Sequence, residues 1–165
     1  MKTETKLEKK EIIMPSLVLV IICLVVTALL AATYSVTKPN ITANEKAVEE
    51  KAKLAVLPDG EGEAYKTAVK SYGGTLSAMV GINPKGEICG VTVISHSDTP
   101  GLGTKAMDKE YLKQYNGLTE LKADSIKKDP QVDAISGATI SSNAVYQSVK
   151  DALEQNKNSG GATNE

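Results

Sequence analysis

The 165-residue chain has no arginine, no tryptophan and no phenylalanine, one histidine and two cysteines. Each shortage narrows what it can be. Every cation is a lysine, the formal net charge is −1 and no basic stripe runs along the chain, so a nucleic-acid partner, gripped through clustered Lys and Arg, is not expected. Without Trp or Phe the core must be built from Val, Ile, Leu, Ala, Met and Tyr, which suffices for a domain of about 100 residues burying roughly two-thirds of its unfolded surface. Cys23 lies in an apolar run and Cys89 in an expected strand, so no disulfide framework is expected. No Cys-x-x-Cys spacing occurs, and His96 stands alone; a cysteine-ligated cluster, a zinc site or a multi-histidine metal site has no ligand set. The glycine-rich fingerprints of dinucleotide and nucleoside-triphosphate sites are also missing.

What the chain does have, first, is an uncharged stretch from Ile12 to Thr37, with "SLVLVIICLVVTALLAA" (Ser16–Ala32) as its most apolar part. It is long enough to cross a bilayer, which takes about 20 helical residues. A cleaved signal peptide has a shorter apolar region and an Ala-x-Ala-like site, and a lipoprotein needs a small residue before its cysteine, where Cys23 follows Ile22. A retained anchor over 12–37 is therefore expected, with Pro15 in its first turn and Tyr34 at the interface. Lys2, Lys6, Lys9 and Lys10 precede it, so the positive-inside rule puts residues 1–11 in the cytoplasm and the larger domain outside, in a single-pass cell-membrane protein.

Beyond the anchor the period changes several times. Residues 39–60 read as a helix, with Thr42 and Glu45 forming a capping box and Pro58-Asp59-Gly60 as its stop; the Lys and Glu run within it reads as a solvated face. Residues 61–70 carry no clear signal. Thr75–His96 reads as a β-hairpin around Asn83-Pro84-Lys85-Gly86, with a bulge at Gly90 and one buried face. Ser97–Lys105 is a loop, residues 107–118 a short helix closed at Asn116-Gly117, and residues 119–129 a charged strand or loop. A last helix carries Val145, Val149, Ala152 and Leu153 on one stripe. The expected class is α+β: an anchor (12–37), a helical linker (38–62), a small antiparallel-sheet-plus-helices domain (63–155) and a disordered tail (156–165).

The last helix opens on "DAISGATISSN" (Asp133–Asn143). Taken locally, Thr139, Ser141 or Ser142 could each be a helix cap. The same helix start offers unpaired N–H groups and a positive dipole end, which favour a phosphate, and Gly137 and Ala138 leave room beside the Thr139 hydroxyl. Asp133-x-x-Ser136-Gly137-Ala138-Thr139 resembles the flavinylation motif of the FMN-binding domain family, and "HSDTPGLGTK" (His96–Lys105) is similar to that family's His-x-Glu-Thr-Pro-Gly-Leu-Gly segment, with Asp98 in place of Glu. The order of anchor, helix, hairpin, Thr-Pro-Gly-Leu-Gly loop and Ser-Gly-Ala-Thr matches the family as well.

The resemblance implies FMN held covalently on Thr139 by a phosphoester bond, placed by a flavin transferase that takes FMN from FAD. Asp133 and Ser136 would belong to the motif that enzyme reads. Thr99, Pro100, Gly101, Leu102 and Gly103 are expected to form part of the ring pocket, because glycine lets backbone approach a flat ligand, and Ser136, Gly137 and Ala138 are expected to bind the cofactor beside Thr139. Within the family the layout is most similar to G subunits of Rnf-type ferredoxin:NAD oxidoreductases coupled to Na⁺ or H⁺ movement, then to C subunits of sodium-pumping NADH:quinone reductases. That implies an electron-carrier subunit, not catalytic alone, working with other membrane subunits. A free-standing exported carrier for extracellular electron transfer and a cofactor-free exported binding or scaffold module are the alternatives. His96 is either a solvent-facing strand end or a pocket residue, and Cys89 a small core residue rather than a redox thiol. A Ser136/His96/Asp98 hydrolase lacks a nucleophile elbow.

Overall fold

The computed structural model describes residues 4–160, with side chains from Ile13 onward. The chain divides into two compact units, Met1–Lys46 and Ala47–Glu165.

The first unit is helical throughout its described length, as part of α1 (Glu4–Val56). Its side chains from Ile13 to Val36 are exposed all round, and an apolar helix without a polar face suits a lipid surround rather than one protein partner. It is long and apolar enough to cross a membrane. Its hydroxyls are satisfied within the helix: Thr27, Thr33 and Thr37 donate to the carbonyls of Cys23, Leu29 and Thr33, and Ser35 to that of Ala32. Such back-bonding removes the penalty of an unpaired donor in hydrocarbon. Two expectations change. Pro15 and Pro39 both lie inside α1, since proline's φ is already helical and each removes one ladder bond. Thr42 caps no new helix; its hydroxyl donates to Lys38 O at 3.1 Å in mid-helix. Of the expected tail 1–11, residues 1–3 lie outside the described residues and the rest continues α1.

The second unit holds an antiparallel meander: β1 (Glu63–Lys70), β2 (Thr75–Ile82) and β3 (Ile88–Ser95), in that spatial order. The unassigned stretch 61–70 thus contains a strand. Tyr65 and Val69 pack on the core and Thr67 is buried, while Lys66, Ala68 and Lys70 are exposed, a period-two alternation partly masked by its charges. The hairpin turn is as expected: Gly86 N–H donates to Asn83 O (2.9 Å), and the Asn83 side-chain oxygen accepts from Lys85 N and Glu87 N. The bulge's extra residue is Cys89, since Gly81 pairs with Gly90 and Ile82 with Ile88. Cys89 is half-buried rather than a core residue, because the bulge takes it out of the ladder's alternation.

One face of the sheet packs on α3 (Thr139–Gly160), where Leu76, Ala78, Val80, Ile82 and Ile88 meet Val145, Tyr146, Val149, Ala152 and Leu153. The other face is buried too, against expectation. Met79 forms a smaller cluster with Ala52 and Val56 from the end of α1. These turns of α1 therefore belong to the domain core, and the unit begins at Ala47 rather than at residue 63. After β3 the expected short helix breaks into a 3₁₀ turn (Gly103–Met107), α2 (Lys109–Leu112) and a second 3₁₀ turn (Lys113–Tyr115). The following Gly117 and Leu118 exchange backbone bonds with Ile88 at 2.8 and 2.9 Å, which covers that end of the β3 edge. Residues 119–129 are loop with one 3₁₀ turn. Residues 156–160, expected to be disordered, extend α3; Asn156 accepts a bond from the Tyr65 hydroxyl at 3.0 Å, which ties the helix end to β1. Residues 161–165 lie outside the described residues.

Candidate functional site

The motif "ISGAT" forms a turn leading directly into α3. Ala138 N–H donates to Ile135 O (3.0 Å), and Gly137 sits at φ +82° in the third position, where a type II turn calls for glycine. The first bond of α3 runs from Ser142 N to Ala138 O (2.9 Å). Ala138 therefore stands at the cap position and Thr139 is the first helical residue. Neither Thr139 nor Ser142 caps the helix; the Ser142 hydroxyl instead accepts from Ile135 N at 3.1 Å and fastens the turn to the helix. The amides of Thr139, Ile140 and Ser141 precede the helical ladder and so have no acceptor within it.

Thr139 opens onto a pocket of about 400 Å³ lined by Tyr72, Thr99, Leu102, Gly103, Gly137, Ala138, Thr139, Ile140 and Ser141. Two sequence segments 40 residues apart, Thr99–Gly103 and Gly137–Thr139, thus meet at one cavity. Thr99, Leu102, Gly103, Gly137, Ala138 and Thr139 line it; Pro100, Gly101 and Ser136 do not. Nor does Asp133. Its backbone is held from behind, with its N–H donating to Gln114 Oε1 (2.7 Å) and its carbonyl accepting from the Tyr111 hydroxyl (2.7 Å), while its side chain is exposed. Gly101 has φ +75° and open space where a Cβ would be: its glycine serves the turn, not a close approach. Gly103 is the close-approach glycine, since a Cβ there would lie 2.8 Å from Ser141 Oγ and 2.9 Å from Asp98 Cβ.

Tyr72, Ile140 and Ser141 line the pocket without having been expected there. Tyr72 is 72% exposed, Ile140 59% and Leu102 46%; beyond α1 they are the large apolar side chains left open to solvent among the described residues, and all three surround this one cavity. An exposed apolar cluster of this kind marks a ligand or partner surface. The available signal for Tyr72 was its place ahead of Gly73-Gly74, at the turn between β1 and β2.

Beneath the pocket lies Asp98, 4% exposed. The Ser71 hydroxyl and the Gly73 amide both donate to its carboxylate. Burial pushes its pKa up, but those donors, the Ser141 hydroxyl and the charge of His96 outweigh it and hold the carboxyl below its usual range. His96 itself is exposed and does not line the pocket.

Residues 71–154, which include every pocket residue, match the family described as "FMN-binding domain". The chain belongs to the FMN-binding domain family. Residues 1–56 match a second description, "RnfG N-terminal region". Among relatives, the G subunit of an ion-translocating oxidoreductase complex of Methanosarcina acetivorans is 30% identical, across 89% of this chain and 95% of that one. The G subunit of a proton-translocating ferredoxin:NAD(+) oxidoreductase complex of Clostridium ljungdahlii is 29% identical, across 83% and 87%. The solved structure of Shewanella oneidensis NqrC is 23% identical, with a TM-score of 0.46, and covers 55% of this chain and 48% of that one. The residues of this FMN-binding domain suit the cofactor in kind: an apolar rim for a flat ring system, and a hydroxyl beside free helix amides for a phosphate.

Proposed function

We propose that this chain is a membrane-anchored electron-transfer flavoprotein, the G subunit of an Rnf-type ferredoxin:NAD oxidoreductase coupled to Na⁺ or H⁺ movement, with FMN esterified to Thr139. The observation that carries the reading is the position of Thr139: first residue of α3, lining a pocket that Thr99, Leu102 and Gly103 also line.

Each part of the site has a task. The free amides and dipole of the α3 N-terminus stabilise phosphate negative charge next to the Thr139 hydroxyl. The attachment exchanges one phosphoryl bond for another: a flavin transferase moves FMN from FAD to the Thr139 oxygen, the hydroxyl proton is lost and AMP leaves. An ester removes dissociation, which matters outside the cytoplasm, but fixes only the phosphate end. Orientation then falls to the side chains. Tyr72, Leu102 and Ile140 supply apolar and aromatic surface for the ring, and Gly103 lets the loop backbone close on α3. When bound, flavin passes one or two electrons and so links one-electron and two-electron partners. In this reading α1 holds the domain at the membrane; it carries no charged residue from Ile12 to Thr37, and an ion path would need polar or ionisable groups within the bilayer.

Co-expression with a flavin transferase should add the mass of one FMN less one water and give a fluorescent band in a denaturing gel. Thr139→Ala should abolish both. A colourless wild type beside an active transferase would sink the flavin reading and leave a cofactor-free module. Co-purification with multi-span membrane subunits separates the complex subunit from a free-standing carrier.

A further inference from the structure

We propose that Asp98 is the positioning residue of the site: its carboxylate ties both walls of the pocket together and sets a fixed negative charge beneath the flavin. The inference rests on the flavin reading above for its second half only.

The tie is visible in the partners. Ser71 and Gly73 come from the turn between β1 and β2 that also carries Tyr72, and both donate to Asp98. Ser141, in the first turn of α3, brings its hydroxyl to the same junction, where a Cβ on Gly103 would lie 2.8 Å from Ser141 Oγ and 3.4 Å from Asp98 Cγ, and that hydroxyl helps to lower the Asp98 pKa. Asp98 itself immediately precedes Thr99. One side chain thereby gathers the three segments that supply the pocket lining: Tyr72, the Thr99–Gly103 loop and the Thr139–Ser141 helix start. The backbones fit closely around it. A Cβ on Gly73 would lie 2.0 Å from Ser97 O, and one on Gly103 would lie 2.9 Å from Asp98 Cβ and 2.8 Å from Ser141 Oγ. The β1–β2 turn and the loop therefore approach to a distance only glycine permits, and the carboxylate sits at their junction.

Burial gives that charge its reach. A carboxylate shielded from water acts through a lower effective dielectric than one at the surface. Gly103 and Ser141 separate it from the cavity. Adding an electron to the flavin adds negative charge, so a fixed anion below the pocket lowers the midpoint potential. The Ser71 and Gly73 donors partly offset it. Removing the charge should therefore raise the potential, and removing a donor while keeping the charge should lower it.

The test uses the full chain in detergent. In the cofactor-free protein, Asp98→Asn should raise hydrogen exchange both at Leu102 and Thr104, whose amides donate to Thr99 O, and at Ser142, whose amide donates to Ala138 O; unchanged protection at all three overturns the tie whether or not the chain ever carries flavin. In the flavinylated protein, Asp98→Asn should shift the midpoint potential upward, Ser71→Ala downward, and Asp98→Glu should return it toward wild type. Shifts of one sign in Asp98→Asn and Ser71→Ala, or none, overturn the electrostatic half. If Asp98→Asn fails to fold, Ser71→Ala decides it: no downward shift refutes the proposal. A wild type that takes up no flavin refutes the flavin reading instead, and the exchange experiment still decides the tie.

Discussion

Gly81 and Gly90 face each other across β2 and β3, and the backbone of Val56 lies against both. A Cβ on Gly81 would fall 2.3 Å from Val56 O, and one on Gly90 3.2 Å from Val56 Cα. The paired glycines form a trough in the sheet that seats the end of α1, with Met79 packing beside Ala52 and Val56.

Gly81→Ala should therefore destabilise the domain. The neighbour is backbone and cannot swing aside, so the penalty falls in the overpacking range of about 1–3 kcal/mol or above. Gly90→Ala, with 3.2 Å to Val56 Cα, should cost less. Urea unfolding followed by circular dichroism ranks the two; equal stability of Gly81→Ala and wild type would show that α1 does not sit in the trough.

Gly137→Ala should cost about 1–2 kcal/mol, because a Cβ is strained at φ +82°. The added methyl would also touch Leu102 Cδ1 at 3.4 Å. Attachment of flavin should slow in the same variant, since the turn that presents Thr139 must then be held in strain. Denaturant midpoints and the time course of the fluorescent band measure the two effects.

Tyr72→Ala should leave stability within about 0.5 kcal/mol of wild type, as substitutions at exposed positions away from special contacts do; the ring is 72% exposed. It should nevertheless alter the absorption spectrum of the attached flavin. A spectrum identical to wild type would remove Tyr72 from the ring surface.

Acid and alkali should act at different buried groups. Asp98 and Asp129 are each pushed up by burial and lowered more by their donors, which are Ser71, Gly73 and Ser141 for Asp98, and Gln131 and the Tyr146 hydroxyl for Asp129. With folded pKa values below the unfolded ones, their contribution is present above the ordinary carboxylate value of about 3.9 and is lost as pH falls through the folded values. Asp129→Asn should flatten that acid limb. Tyr146 moves the other way: burial first, then the Asp129 carboxylate, push it up to about 12. Its contribution is complete below the unfolded tyrosine value of about 10 and is lost as pH rises toward about 12, so Tyr146→Phe should flatten the alkaline limb. Unfolding free energies measured across pH test both signs.

Much of this protein is legible in its sequence. The long apolar N-terminal helix, the hairpin and its Asn83–Gly86 turn, and the Val145–Leu153 stripe follow from local rules: unbroken hydropathy, a turn tetrad, a 3.6-residue period. The position of Thr139 at a helix start was legible for the same reason, since Gly137 punctuates the chain just before the apolar period begins. The misread parts are those where tertiary contacts override local signal. β1 carries charges on its outer positions, and its pairing with β2 makes it a strand. Residues 156–160 look unstructured by composition, yet α3 runs on to Gly160, with Asn156 tied to Tyr65 of β1. Thr42 reads as a cap because capping boxes are a local pattern, whereas α1 continues through it.

Local pattern specifies the elements whose causes lie within a few residues of one another, and it carries the two motifs that point to flavin. Which of their residues line one cavity follows from packing. Thr99, Leu102 and Gly103 line the cavity with Thr139 while Pro100, Gly101 and Ser136 do not; Tyr72 and Ile140 join them from outside the matched loop. Asp98 acquired its role in the same way. A carboxylate two residues after a histidine reads as a loop charge until Ser71, Gly73 and Ser141 are seen to converge on it. Burial and hydrogen bonding among segments far apart in sequence are properties of the packed chain, and no local period encodes them.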